Sequence, residues 1–294
     1  MVAVKKLLSC LTVLFATLFM FAQVHAAPGV DWNGQVITVT GMGAANPALV
    51  RVPAQATMIA KRAAIADAYR QLAEMVQGVQ VDAETTVEQM MLTSDIVKTR
   101  VSAVIKGAVI VSEGELAGGG YSVTMQMPMF GASGLAPAVI ERPPVIETFP
   151  EPVPEVIPSL PADSQTGGSS GFSVINGGDN SPMAALGGYT GVIIDCRGLG
   201  LNPVMSPVVK NADGVKLYGH ENLNYDLVVR DGMASYANDN SQASRAGNKP
   251  LIFKAVRLDD HNANPVISVA DGNRLLIENG ATKFLNNTAV VFLY

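Results

Sequence analysis

The chain has 294 residues, 48% apolar and 15% charged, with a formal net charge of −5. Lysine and arginine are scattered, with no basic run and no interleaved aromatics, which excludes the usual footprint of a nucleic-acid binder. Two cysteines, Cys10 and Cys196, exclude a disulfide framework.

Met1 to Lys6 carries Lys5 and Lys6 and no acid, Leu7 to Ala22 is almost wholly apolar, and Val24-His25-Ala26 sets small side chains before Ala27. This is the pattern of a secretory signal over residues 1–26, removed on export. Its apolar run is shorter than the roughly 20 residues a helix needs to cross a bilayer. Leu7-Leu8-Ser9-Cys10 imitates the box before a lipid-modified cysteine, but the apolar region follows it instead of preceding it. The expected location is outside the cytoplasm, periplasmic or associated with the outer membrane. There nucleotides and reduced nicotinamides are not freely available, so no cofactor is expected. Without Lys5 and Lys6 the mature charge is −7, and Cys196 is the one remaining cysteine. It has no neighbouring histidine and reads as a small buried hydrophobe.

The first unit runs from about 33 to 131. Gln35 to Thr40 is β-branched and alternating and ends at Gly41-Met42-Gly43. A helix follows, opened by Pro53, with Met58, Ile65, Tyr69, Leu72 and Val76 at helical spacing on one face. Its many alanines give it a thin profile that lets it lie close on a sheet. Gly78 ends it. Val79, Val81 and Ala83 alternate with polar residues as a half-buried strand, and Asp95 to Lys106 reads as a shorter helix. Ala108 to Val111 and Tyr121 to Met129 form a hairpin through Gly118-Gly119-Gly120. The order β-α-β-α-β-β gives an α+β unit with helices on an antiparallel sheet.

Four features of this unit together resemble the LPP20-like domain of bacterial envelope proteins, which is related to the N-terminal domain of flagellar assembly protein T. They are the Ile37-Thr38-Val39-Thr40-Gly41-Met42-Gly43 strand end, the Ala63 to Leu72 helix, the Val76-Gln77-Gly78-Val79 break and the closing Gly120 to Met129 strand. The resemblance implies an exported, non-catalytic module of envelope or flagellar accessory proteins. The chain departs from the lipoprotein members in lacking a well-placed lipidation cysteine.

Eight of the 17 prolines fall between Pro137 and Pro161, and Asp163 to Ser181 is rich in Ser, Gly and Asn. Proline fixes φ and removes an amide donor, so residues 132–187 are expected to form an extended linker between two units.

The second unit, about 188–294, is expected to be β-rich, with some six strands. These are Gly191 to Asp195, Val208 to Lys210, Val215 to Tyr218, Leu251 to Ala255, Val266 to Val269 and Ala289 to Leu293. Asn273 to Glu278 or Ala281 to Leu285 supplies a short helical turn. Gly191 to Gly219 also resembles a segment of exported bacterial proteins that carry an LPP20-like domain, which implies no known chemistry.

Few residues point to chemistry. Gly41-Met42-Gly43 lacks the third glycine of a dinucleotide loop, and no Gly-x-Ser-x-Gly occurs. Asp259-Asp260-His261-Asn262 offers oxygen and nitrogen donors, but adjacent residues rarely converge on one ion, so no metal is expected. The expected function is binding of another envelope protein or a surface polymer, or self-association through strand edges. The contact is placed at the Gly198 to Pro207 loop, through Asp195, Arg197, Leu199, Leu201 and Met205. The alternative is an envelope hydrolase using Asp195, Arg197, Asp226 and Asp231, since paired carboxylates serve glycosidic chemistry. Two carboxylates facing one cleft favour the enzyme; a flat polar face with open sheet edges favours the binding protein.

Overall fold

The computed structural model describes residues 28–153 and 184–294, apart from Pro47, Leu49 and Arg51. The expected signal at 1–26 and the Ser/Gly-rich part of the expected linker lie outside the described residues. Among the described residues, no helix is long and apolar enough to cross a membrane.

The first unit is a four-stranded antiparallel sheet in the order β1-β2-β4-β3, formed by β1 (Gly29–Asp31), β2 (Val36–Ala44), β3 (Val109–Leu116) and β4 (Gly120–Pro128). Three helices follow β2: α1 (Pro53–Gln77), α2 (Val87–Thr93) and α3 (Asp95–Lys106). The register Ile37↔Met127, Val39↔Met125, Gly41↔Val123 and Gly43↔Tyr121 puts these side chains on one face, against α1. The row of α1 that meets them is Ala60, Ala64, Ala68, Leu72 and Val76, all buried. Met58, expected inward, is exposed. The sheet explains why. Strand β2 does not stop at Gly41 but continues to Ala44, and its glycines sit against helix backbone, so the facing row must be alanine.

The expected strand at Val79 to Glu84 is absent as such. Only Gln80 and Thr86 make an isolated bridge, while Val79 and Val81 are buried. A helix missed in the sequence, α2, begins just after it. Thr86 and Gln89 form a capping box, each side chain bonding the other's backbone N–H. The hairpin of β3 and β4 turns through Gly118 and Gly119 as expected.

The second unit holds two four-stranded sheets. Strands β5 (Gly191–Asp195), β8 (Ser235–Ala237), β9 (Pro250–Lys254) and β12 (Val290–Leu293) form a wholly parallel sheet in the order β8-β12-β5-β9. Strands β6 (Val209–Asn211), β7 (Lys216–Tyr218), β10 (Arg257–Asp259) and β11 (Asn264–Ile267) form a mixed one, ordered β10-β11-β6-β7. The sequence shows no long alternating helices, yet a parallel sheet forms. Its strands are buried on both faces, Val192 and Ile194 on one side and Ile193, Val291 and Leu293 on the other. Two-sided burial is what the unbroken apolar runs at 192–194 and 290–293 encode. The expected helical turn is a full helix, α6 (Val269–Thr282), capped by Ser268.

The start of the proline stretch is not a free spacer. Leu135, Ala136 and Val139 are buried, the last two in the short helix α4 (Ala136–Val139). Arg142 pairs with Asp226 at 2.6 Å on α5 (Tyr225–Asp231) and lies over the Tyr225 ring. Phe149 stacks on Tyr218, and Asn273 of α6 both donates to Val153 O (2.8 Å) and accepts from Val153 N (2.9 Å). Beyond the undescribed stretch, Glu278 accepts from Leu186 N and Gly187 N. Proline denies this segment ladder bonds, but not the side-chain partners that hold it. Its two ends are therefore pinned five residues apart on one helix.

The units also touch directly. Met205 N and Ser206 N donate to Gln80 O and Val81 O, Gly131 N donates to Val229 O, and Trp32 meets Tyr236 edge-on with ring centroids 5.5 Å apart. Gly232 (φ +77°) lies under the Phe130 ring, where a Cβ would come within 2.9 Å.

Candidate functional site

The carboxyl ends of parallel strands are where side chains project beyond the last ladder bonds, and open α/β sheets use that edge for recognition. Here the edge collects Asp195 from β5, Lys254 from β9, Tyr294 after β12, and Asp239 in the turn after β8. Asp195 accepts from Arg197 Nη2 at 2.6 Å, Nε at 2.8 Å and the backbone N at 3.1 Å. This fork holds the Asp195 carboxyl below the usual carboxylate range, with Lys254 adding to it. Asp239 is held low by the hydroxyl and amide of Ser241 and also faces Arg197. The edge is thus a balanced, ionised surface.

Between Asp195 and Arg197 lies Cys196, fully buried, its thiol pushed up to about 12 by burial and by the Asp195 charge. A thiol so raised is neither nucleophile nor metal ligand at neutral pH.

The loop after Arg197 turns inward. Leu199 is 37% exposed, but Leu201, Val204 and Met205 are core. The Tyr236 hydroxyl donates to Val204 O (2.8 Å) and accepts from Val204 N (3.0 Å), while Met205 N bonds across to the first unit. Leu201 and Met205 therefore cannot reach a partner, which corrects the expectation that they line an exposed contact. Of the five expected residues the structure leaves Asp195, Arg197 and Leu199 accessible.

The hydrolase candidates do not converge either. Each carboxylate has its own arginine: Asp195 with Arg197, Asp226 with Arg142, and Asp231 with Arg230. Arg230 holds Asp231 below the ordinary range, as Arg197 does Asp195, whereas a general acid needs its carboxyl raised.

In the Asp259 to Asn262 loop, Asp259 pairs with Arg257, while Asp260 takes Lys210 at 2.5 Å and Asn264 at 2.7 Å. Among the described residues no group of three or more His, Cys, Asp or Glu is placed to hold a metal ion.

One feature that the sequence reading missed is the outer edge of β3. Among the described residues no strand pairs with it, and Val109, Ile110 and Val111 are exposed in succession. The sheet face beside it, away from α1, is polar, and Thr38 and Thr124 on it are buried. It carries Thr38, Thr40, Ser122, Thr124 and Gln126, with Thr40 and Thr124 hydroxyls 3.0 Å apart and Gln126 donating to Thr38 at 3.1 Å. The signal was present in Val109-Ile110-Val111, but a run of aliphatics reads as core until its neighbours are known.

Residues 35–127 match the LPP20 lipoprotein family. The first unit is an LPP20-like domain. Residues 191–294 match the second domain of Treponema pallidum Tp0624, so the parallel-sheet unit is similar to that domain. A comparison with curated proteins gave no match. The two matches fall on the two units, and the LPP20 match implies an exported, envelope-associated protein. The LPP20-like domain is also where the open edge lies.

Proposed function

We propose that the chain is a non-catalytic accessory protein of the cell envelope, in the periplasm or at the outer membrane, which binds another envelope protein in envelope or flagellar assembly. The observation that carries this reading is the bare half of β3. Proteins shield long edge strands with charge, bulges or covering segments. The distal half of β3 is shielded in this way, by Glu113 and Glu115, with Glu113 paired to Lys61. The proximal half presents three aliphatics and only a bulge at Val111. An extended segment of the partner adds to this edge as a fifth strand, its backbone supplying affinity and its side chains meeting Val109 and Val111. Self-pairing along the whole strand, about Gly114, is disfavoured because it sets Glu113 against the other copy's Glu115. Asp195, Arg197 and Leu199 form a smaller contact on the second domain.

Recovery of envelope proteins by the tagged chain tests this. Val109→Lys with Val111→Lys is expected to abolish recovery of the principal partner while the far-ultraviolet spectrum stays native, and Leu199→Ser is expected only to weaken it. Full recovery with the double lysine variant would overturn the proposal.

A further inference from the structure

Between the LPP20-like domain and the second domain lies an open cleft of about 380 Å³, within the range of small-ligand sites. One wall is Trp32 and Gln80; the other is Asn202, Pro203, Val204 and His261. No carboxylate, lysine or arginine lines it, so it does not select by charge.

Two of its walls are built at a cost to the free protein. The Oε1 of Gln80 is shut off from solvent without a hydrogen-bond partner among the described residues. A buried acceptor left unpaired is destabilising, and such groups are rare. Opposite, Asp260, His261 and Asn262 occupy the left-handed region in succession, with φ of +50°, +57° and +64°. Single Asn or Asp residues visit that region readily, but three in a row do not. They are held there from both sides. Lys210 and Asn264 clamp Asp260, while Asn202 donates its Nδ2 to His261 O (2.7 Å) and its backbone N to Asn262 O (2.9 Å). This clamp sets His261 in the cleft wall, and over-determined strain of this kind gathers where a ligand is held.

From these groups we infer that the cleft is a binding site for a neutral, polyhydroxylated ligand, the chemistry of a saccharide. Such a ligand combines what the walls require. Its C–H faces cover the indole and the apolar wall of Pro203 and Val204, and its hydroxyls donate to the Gln80 amide oxygen and the His261 imidazole. Gln80 turns from its shielded rotamer to meet the donor, which relieves the unpaired oxygen on binding. An anion finds no lysine or arginine in the lining, and a hydrocarbon leaves Gln80 unsatisfied. The inference stands apart from the β3 edge, which lies on another part of the LPP20-like domain.

Trp32 is the chain's only tryptophan and therefore its own reporter. Emission of the mature full-length protein is titrated with two neutral disaccharides, N,N′-diacetylchitobiose and maltose, and far-ultraviolet spectra check each variant. A saturable change in Trp32 emission is expected with at least one of them. Gln80→Leu is expected to weaken that binding by about tenfold or more while leaving the melting temperature unchanged or higher, since it removes an unsatisfied acceptor. His261→Ala is expected to weaken binding similarly. Stability kept while binding falls is the signature of a ligand contact, which a purely structural role for Gln80 would not give. No saturable change with either disaccharide would overturn the inference, as would native-strength binding by both variants. If His261→Ala fails to fold, Gln80→Leu decides alone.

Discussion

Placing a methyl group on Gly41 tests how the LPP20-like domain is assembled. A Cβ there would lie 2.3 Å from Ala64 O, 2.3 Å from Ala68 N and 2.7 Å from Ala68 Cα, where ordinary contact begins near 3.4 Å. All three atoms are helix backbone, so no rotamer change in α1 removes the clash. The helix must retreat by about 1 Å, and a gap of that size forfeits roughly a quarter to a half of each dispersion contact along the row. Ala60, Ala64, Ala68, Leu72 and Val76 all lie on that row. Overpacking usually costs about 1–3 kcal/mol, and this case belongs at or above the upper end. Urea unfolding of Gly41→Ala should show the loss. Gly114→Ala is the control, because nothing lies within 4 Å of its added Cβ, and it should stay within about 0.5 kcal/mol of the native protein. A loss at Gly41 no larger than at Gly114 would refute the packing argument.

Further outcomes follow from the second domain and the proline segment. Leu201→Ala and Met205→Ala should each cost about 2–5 kcal/mol as core truncations, whereas Leu199→Ala should change stability by less than about 0.5 kcal/mol; thermal unfolding separates them. The Cys196 thiol should resist a thiol reagent at pH 8 until the protein unfolds. Its folded pKa is raised, so the folded state keeps a proton that the unfolded state releases above about pH 8.5, and stability should fall as pH rises from there toward 12; Cys196→Ala should flatten that alkaline limb. The Asp260 carboxyl is lowered by Lys210 and then Asn264. Its contribution is therefore present above about pH 3.9 and lost as pH falls through the lower folded value, so Asp260→Asn should flatten the acid limb of the stability curve. Residues 153 and 186 are pinned by Asn273 and Glu278, about 7.5 Å apart along α6. Asn273→Ala should release the Val153 end and cost about 1–3 kcal/mol, since it leaves the Val153 backbone groups without these partners, and no loss in denaturant unfolding would contradict the pinning.

Local signals in the sequence were legible where one rule governs. Pro53 and the alanines marked α1, and three glycines marked the β3–β4 turn. What the sequence hid depended on partners distant in the chain. The inward row of α1 is alanine because two glycines on β2 admit the helix backbone, so the larger apolar residues misplaced its face. The apolar loop at 198–207 looked like a surface contact because it is rich in glycine and proline. It is core because Tyr236 clamps Val204 and Gln80 receives Met205. The parallel sheet was missed since continuous apolar strands imply burial on both faces without saying in which direction neighbours run. Proline at 137–152 was expected to keep the segment out of both ladders and helices; it makes no ladder, but Pro137 lies in α4, and side chains as remote as Asn273 hold the segment down. Asp195 and Arg197 form the pair their spacing implied, at an edge of the sheet where a partner can reach them.

The bare half of β3 is proposed to meet another envelope protein. A photo-crosslinking side chain placed at Val109 of the full chain, expressed in its own envelope, tests it most directly, with the same group at exposed Leu92 as the control. A discrete adduct is expected from Val109 that Leu92 does not give and that Ile110→Lys diminishes. No adduct from Val109, or the same adducts from both positions, would contradict it.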